Sequence, residues 1–109
     1  MTLANNIIAY NNNGGLYKDA SSNPTHNHNC IVLNTSYDYS SGLLRGVTDI
    51  QEGVAPGFVD YGAGDFHLAN GSPCIDFGES SGSPSYDYDG DSRPQGQGVD
   101  IGADEYVSN

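Results

Sequence analysis

Apolar residues in this chain come in short bursts, each stopped by turn-forming residues before it reaches helical length. Asn6 to Tyr10, Cys30 to Leu33, Gly57 to Val59, Asp65 to Leu68, Pro73 to Phe77 and Gly98 to Ile101 each suit a strand of about three to six residues. No window sustains apolar positions at three-and-four spacing, so the pattern predicts an all-β chain with little or no helix. Turns are expected at Asn13-Gly14-Gly15, Ser41-Gly42, Asn70-Gly71-Ser72-Pro73 and Asp89-Gly90-Asp91, where Gly or Asn accepts positive φ and Pro fixes it.

The bursts repeat. Val59-Asp60-Tyr61-Gly62, Ile75-Asp76-Phe77-Gly78 and Val99-Asp100-Ile101-Gly102 share one pattern, and Asn5-Asn6-Ile7-Ile8-Ala9 is echoed by Asn29-Cys30-Ile31-Val32-Leu33. Ile7 to Ile31 is a displacement of 24 positions, as is Ile75 to Val99. Self-similarity at this period predicts the stacked coils of a solenoid. Stacked coils let asparagines in Asn11-Asn12-Asn13 and around Asn27 to Asn29 bond to the coil above or below; without stacking these segments are polar loops. Asp60, Asp76 and Asp100 alternate with apolar neighbours, which points them outward or into turn hydrogen bonds. The composition shifts at Ala55-Pro56-Gly57, dividing a single domain into β-helix coils over 1–55 and a terminating coil and tail over 56–109.

Composition narrows the picture. Fourteen acidic residues against three basic ones give a formal charge of −11, which repels a phosphate backbone and an anionic membrane face. Nucleic acid is excluded as a partner, and the lack of any run near the ~18 apolar residues of a membrane span excludes membrane insertion. The start Met1-Thr2-Leu3-Ala4 shows no basic region followed by an apolar stretch, so no export signal is read there. Eight tyrosines, three phenylalanines and many Ile, Val and Leu oppose the disorder that fifteen glycines would otherwise favour. Cys30 and Cys74 each precede an isoleucine, as if in equivalent slots on two coils. Stacked strands lie about 4.8 Å apart and disulfide Cβ atoms about 3.8 Å, which suits two buried thiols. A disulfide is the alternative and would contribute about 4 kcal/mol.

Pro56-Gly57-Phe58-Val59-Asp60, Gly64-Asp65-Phe66-His67-Leu68, Gly71-Ser72-Pro73-Cys74-Ile75-Asp76 and Asp87-Tyr88-Asp89-Gly90-Asp91-Ser92-Arg93-Pro94 follow one another in order. With the closing run Gly98 to Tyr106, this stretch resembles the C-terminal end of right-handed parallel β-helix repeat proteins of the pectate-lyase-like superfamily. It departs from such tails at Asp104, where an aromatic is common. The resemblance implies a short right-handed parallel β-helix with a C-terminal closing segment, in a family mostly secreted or displayed on bacterial surfaces. Some members cleave or bind polysaccharides, but their catalytic residues lie on central coils and have no counterparts here.

Candidate chemistry is sparse. Asp87, Asp89 and Asp91 alternate around Gly90 and aim oxygens at one centre, as Ca²⁺ requires; Ser92 and Gly98 stand where an EF-hand loop needs glycine and glutamate. The competing reading is a turn whose carboxylates cap backbone amides, with Arg93 as counter-charge. His26, His28 and Cys30 share strand parity and form an incomplete zinc set. His67, between Phe66 and Leu68, is expected to face away from the apolar side of its strand. The expected role is a non-enzymatic β-helix end module, a scaffold or interaction surface for carbohydrate or protein, with tyrosines available to stack on sugars. The alternative is a calcium-assisted polysaccharide lyase or hydrolase, or an inactive remnant of one. An end module exposes an open N-terminal coil, and a homodimer through that coil follows.

Overall fold

A computed structural model describes residues 2–107. Among these, the chain forms eight short strands and one 3₁₀ turn, with no α-helix. Strands β1 (Thr2–Ala4), β2 (Ile7–Ala9) and β3 (Gly14–Leu16) are followed by β4 (Thr25–Asn27), β5 (Cys30–Val32) and β6 (Tyr37–Tyr39). The two sets pair in parallel, β1 with β4, β2 with β5 and β3 with β6. Their registers place Thr2 beside Thr25, Ile7 beside Cys30 and Gly14 beside Tyr37. Strands β7 (Phe58–Asp60) and β8 (Asp65–Leu68) form an antiparallel hairpin around the 3₁₀ turn Tyr61–Ala63. The Asp60 carboxylate accepts from Ala63 N at 3.2 Å, and Gly64 leaves the turn at φ 80°.

The repeat in the first half is 23 residues, which corrects the displacement of 24 expected from matching Ile7 to Ile31. Asparagines set the register. Asn29 Oδ1 accepts from both Asn6 N and Asn6 Nδ2 at 3.0 Å, and Asn34 Oδ1 accepts from Asn11 N at 3.0 Å and Asn11 Nδ2 at 2.8 Å. Each lower asparagine also donates upward, Asn29 to Leu3 O and Asn34 to Ile8 O. A one-residue slip would break both ladders. The corners repeat at the same spacing: Asn5 and His28 are left-handed at φ 63° and 55°, as are Tyr10 and Leu33 at 60° and 56°. A third rung follows, with Asn29 N donating to Asp49 Oδ1 at 2.9 Å and Ile50 N to Asn29 O at 2.8 Å.

The glycines expected to turn at 14 and 15 lie instead in β3, and they do so because neighbours leave no room for a side chain. The Tyr37 ring covers Gly14, and a Cβ on Gly15 would come within 2.6 Å of Asp38 O and 2.7 Å of Asn34 Nδ2.

The core lies between the β2–β5 sheet and the C-terminal half. Cys30 and Val32 point to one face and meet Leu68, Cys74 and Ile101, with Ile7, Ala9, Phe58 and Tyr106 at the margin. Ile31, on the opposite face, is equally buried near Gly15. Cys30 and Cys74 are buried free thiols within one cluster. They do not occupy equivalent slots, because Cys74 lies in a turn and Cys30 in a strand.

Beyond Leu68 the expected strands at Pro73–Phe77 and Gly98–Ile101 are absent; both segments are turns and bends. Asp76 takes φ 65°, which no strand tolerates. Consequently the three repeated strings are not equivalent: Asp60 caps a turn, Asp76 is exposed, and Asp100 is 1 % exposed.

Asn29 is fully buried and its amide serves both neighbours in the ladder. Replacing it by alanine strands several buried backbone groups, so Asn29→Ala is expected to lower unfolding stability by about 2–4 kcal/mol. Chemical denaturation with the m-value held constant checks this.

Candidate functional site: an aromatic cleft beside a carboxylate cluster

A cleft of about 830 Å³ opens between β2, the β7–β8 hairpin and residues 102–104 of the tail. Its distinguishing content is aromatic. The left-handed corner after β2 projects Tyr10 onto Tyr61 of the 3₁₀ turn, with ring centroids 4.1 Å apart and planes 31° from parallel. Phe66 of β8 continues the cluster, 6.0 Å from Tyr61 and edge-on to Phe58 at 5.3 Å. These rings hold one another in place, yet Tyr61 and Phe66 are 47 % and 52 % exposed, and Tyr88 across the cleft is 57 % exposed. Asn6 and Asn11 add polar edges. Their Nδ2 groups are spent on the ladder, while among the described residues no donor reaches either Oδ1. None of the lining residues is Lys or Arg.

The hairpin carries a second feature at the Tyr88 end. His67 points away from the apolar side of β8, as its parity requires, and is gripped at both ring nitrogens. Nδ1 lies 2.6 Å from Asp65 Oδ1 and Nε2 lies 2.6 Å from Asp89 Oδ2. Two carboxylate acceptors demand a hydrogen on each nitrogen, so the ring is an imidazolium. The hydrogen bonds it donates to Asp65 and then to Asp89 raise its pKa to about 9, and those Asp65 accepts from the His67 ring and backbone N–H hold the Asp65 carboxyl below its usual range.

Asp87, Asp89 and Asp91 do converge, and Asp104 joins them, with one oxygen from each within 4.8 Å of the others. Several of these oxygens already accept hydrogen bonds. Asp87 Oδ1 accepts from Asp89 N at 2.9 Å and Asp91 N at 2.8 Å, and its Oδ2 accepts from Glu105 N at 2.7 Å. Burial alone would raise the Asp87 pKa, but the amides of Glu105, Asp91 and Asp89 outweigh it and lower the value. Asp104 is raised, chiefly by burial, although Leu68 N donates to its Oδ2 at 2.8 Å. A hard cation here would compete with four amides and the His67 imidazolium for several of these oxygens.

The zinc set is dispersed. Parity breaks at His28, whose positive φ turns the chain between β4 and β5. His26 Nδ1 binds buried Asp49 Oδ2 at 2.7 Å, His28 Nδ1 donates to Phe77 O at 2.9 Å, and Cys30 enters the core. Sequence reasoning missed Asp104 and His67 as members of the carboxylate cluster, and it missed the meeting of Tyr10, Tyr61 and Phe66. The available signal was positional, since Tyr10 and Tyr61 each directly follow a strand.

Compared with known protein families, curated proteins and solved structures, the chain matches none.

The His67 clamp has a definite pH signature. Its folded pKa, about 9, exceeds the unbound value of 6.5, so the clamp contributes fully below about pH 6.5 and its contribution is lost as pH rises through about 9. The His67 ring resonances are expected to titrate near pH 9 by NMR. The thermal midpoint is expected to fall between pH 7 and 10, with a smaller fall in His67→Gln.

Proposed function

We propose that this chain is the closing end of a short right-handed parallel β-helix and works as a non-enzymatic module that binds carbohydrate in the aromatic cleft. The solenoid reading is supported by three parallel strand pairs at one constant offset, with asparagine ladders at matching corners. A β-strand returning to a parallel neighbour does so with a right-handed crossover. The antiparallel hairpin and the irregular tail then form the closing segment, as the resemblance of residues 56–106 implies.

One observation carries the binding role: Tyr61 and Phe66 are half exposed while fixed by aromatic neighbours. Rigid rings with a free face stack on sugars at little conformational cost, and unpaired amide oxygens beside them accept sugar hydroxyls. The calcium-assisted lyase or hydrolase is less well supported. Asp87 is fully engaged by backbone amides, and a lyase of acidic sugars needs a cation beside the substrate carboxylate, which the cleft lining does not supply.

Glycan-array screening followed by calorimetry tests the carbohydrate reading. Tyr61→Ala and Phe66→Ala are each expected to weaken binding about tenfold, whereas Tyr17→Ala, exposed and outside the cleft, is expected to leave it unchanged. Absence of binding to any glycan overturns the proposal.

A second reading concerns self-association. In the two-stranded sheets the first set of strands pairs on one side only, and β2 is half-buried where β5 is fully buried. We propose that this open N-terminal edge pairs with its copy to form a homodimer. Light scattering is expected to give twice the monomer mass at high micromolar concentration, falling toward the monomer mass on dilution.

A further inference from the structure

We propose that the cleft selects glycans whose sugars carry free amino groups over neutral glycans, and rejects uronates; this rests on the carbohydrate reading above. The inference comes from the charges around the Tyr88 end of the cleft. Asp104 lines it directly, Asp87 and Asp89 each bring an oxygen within 4.8 Å of one of Asp104, and Asp65 is tied to Asp89 through the His67 ring. The positive groups nearby are already committed. His67 is held between Asp65 and Asp89, and Arg93, 4 % exposed, turns inward to donate to Gly102 O at 2.9 Å beside Glu105. Four carboxylates against one imidazolium leave this end of the cleft negative, within a chain of net charge −11.

Such a surface is complementary to an ammonium group in two ways. The carboxylates attract it over roughly the 8–10 Å that physiological salt leaves unscreened. The free faces of Tyr88, Tyr61 and Phe66 present the negative side of the ring quadrupole, which attracts cations and repels anions. A glucosamine-type sugar offers both an apolar face to stack and an ammonium to pair. A uronate offers the same face with the wrong charge.

The test is calorimetric titration of the whole chain with glucosamine, glucose and galacturonate oligomers of equal length, with oligolysine as a fourth arm. The glucosamine oligomer is expected to bind on the order of tenfold more tightly than the glucose oligomer at low salt, and the galacturonate oligomer weakest. The preference is expected to shrink as salt rises. Asp104→Asn, which keeps an oxygen for Leu68 N, is expected to reduce the ratio of glucosamine to glucose affinity several-fold. If that variant fails to fold, Asp89→Asn serves in its place with the same expectation. Equal binding of glucose and glucosamine oligomers overturns this inference and leaves the carbohydrate reading standing. Oligolysine binding as tightly as the glucosamine oligomer, or galacturonate binding most tightly, also overturns it. Binding of no oligomer removes both.

Discussion

Backbone N–H groups that leave regular strands are received here by side-chain oxygens, and the rest of the structure depends on that substitution. A strand of three residues satisfies few of its own donors, and a buried donor without an acceptor costs about 1–3 kcal/mol. In the first half the acceptors are asparagine amides, Asn29 for Asn6 and Asn34 for Asn11. In the second half they are carboxylates. Asp100 takes Asp76 N and Tyr106 N, Glu105 takes Asp100 N and Gln95 N, and Asp104 takes Leu68 N. Asp49 lies between the two systems, accepting from Asn29 N like an asparagine while pairing with His26.

This explains how so acidic a chain buries Asp49, Asp100, Asp104 and Glu105. A carboxylate filled by amide donors exchanges water for fixed dipoles, and charge-assisted bonds are stronger than neutral ones. The buried acids divide by environment. Asp49 is lowered because the Asn29 amide, His26 and the Gly46 amide outweigh burial, whereas burial dominates at Asp100 and raises it. Their linkages oppose each other. Asp49 supports the fold above its unfolded pKa and ceases to as pH falls, while Asp100 favours the fold more as pH falls through its raised value. Acid therefore acts through Asp49 and through Asp100 with opposite sign.

The same chemistry decides what was legible in the sequence. β2, β5, β7 and β8 announce themselves because one face of each is apolar and meets the core. β1, β3, β4 and β6 do not, since Thr25-His26-Asn27 or Gly14-Gly15-Leu16 carries no strand signature and is held by pairing to a neighbour fixed elsewhere. The repeat was visible but misregistered by one residue, because matching Ile7 with Ile31 overlooks that Asn6 and Asn29 bond each other. In the tail, alternation around Asp76 and Asp100 imitates a strand, yet Asp100 faces inward as an acceptor for two amides. The spacing groups Asp87, Asp89 and Asp91 as a calcium candidate with an amide-capping turn as the competing reading, and the structure shows both the convergence and the capping by Asp87. What spacing alone could not supply was His67, brought from 22 residues away to neutralise Asp89.

The cleft follows from the irregularity of the chain after β8. Residues 69–106 do not continue as strands beside β5. Wired by carboxylates instead, the tail crosses the first set of strands at few points, among them Gly102 N to Asn5 O at 2.9 Å and the Asn5 amide against the backbone of Glu79. A Cβ at Gly102 would come within 2.6 Å of Ile7 Cδ1, so the crossing is close there and open beyond it. The space left over is lined by rings, of which Tyr10, Tyr61 and Phe66 pack in series while Tyr61 and Phe66 stay half exposed. A cleft of this kind needs no separate scaffold, because the bonds that close the fold also hold it apart.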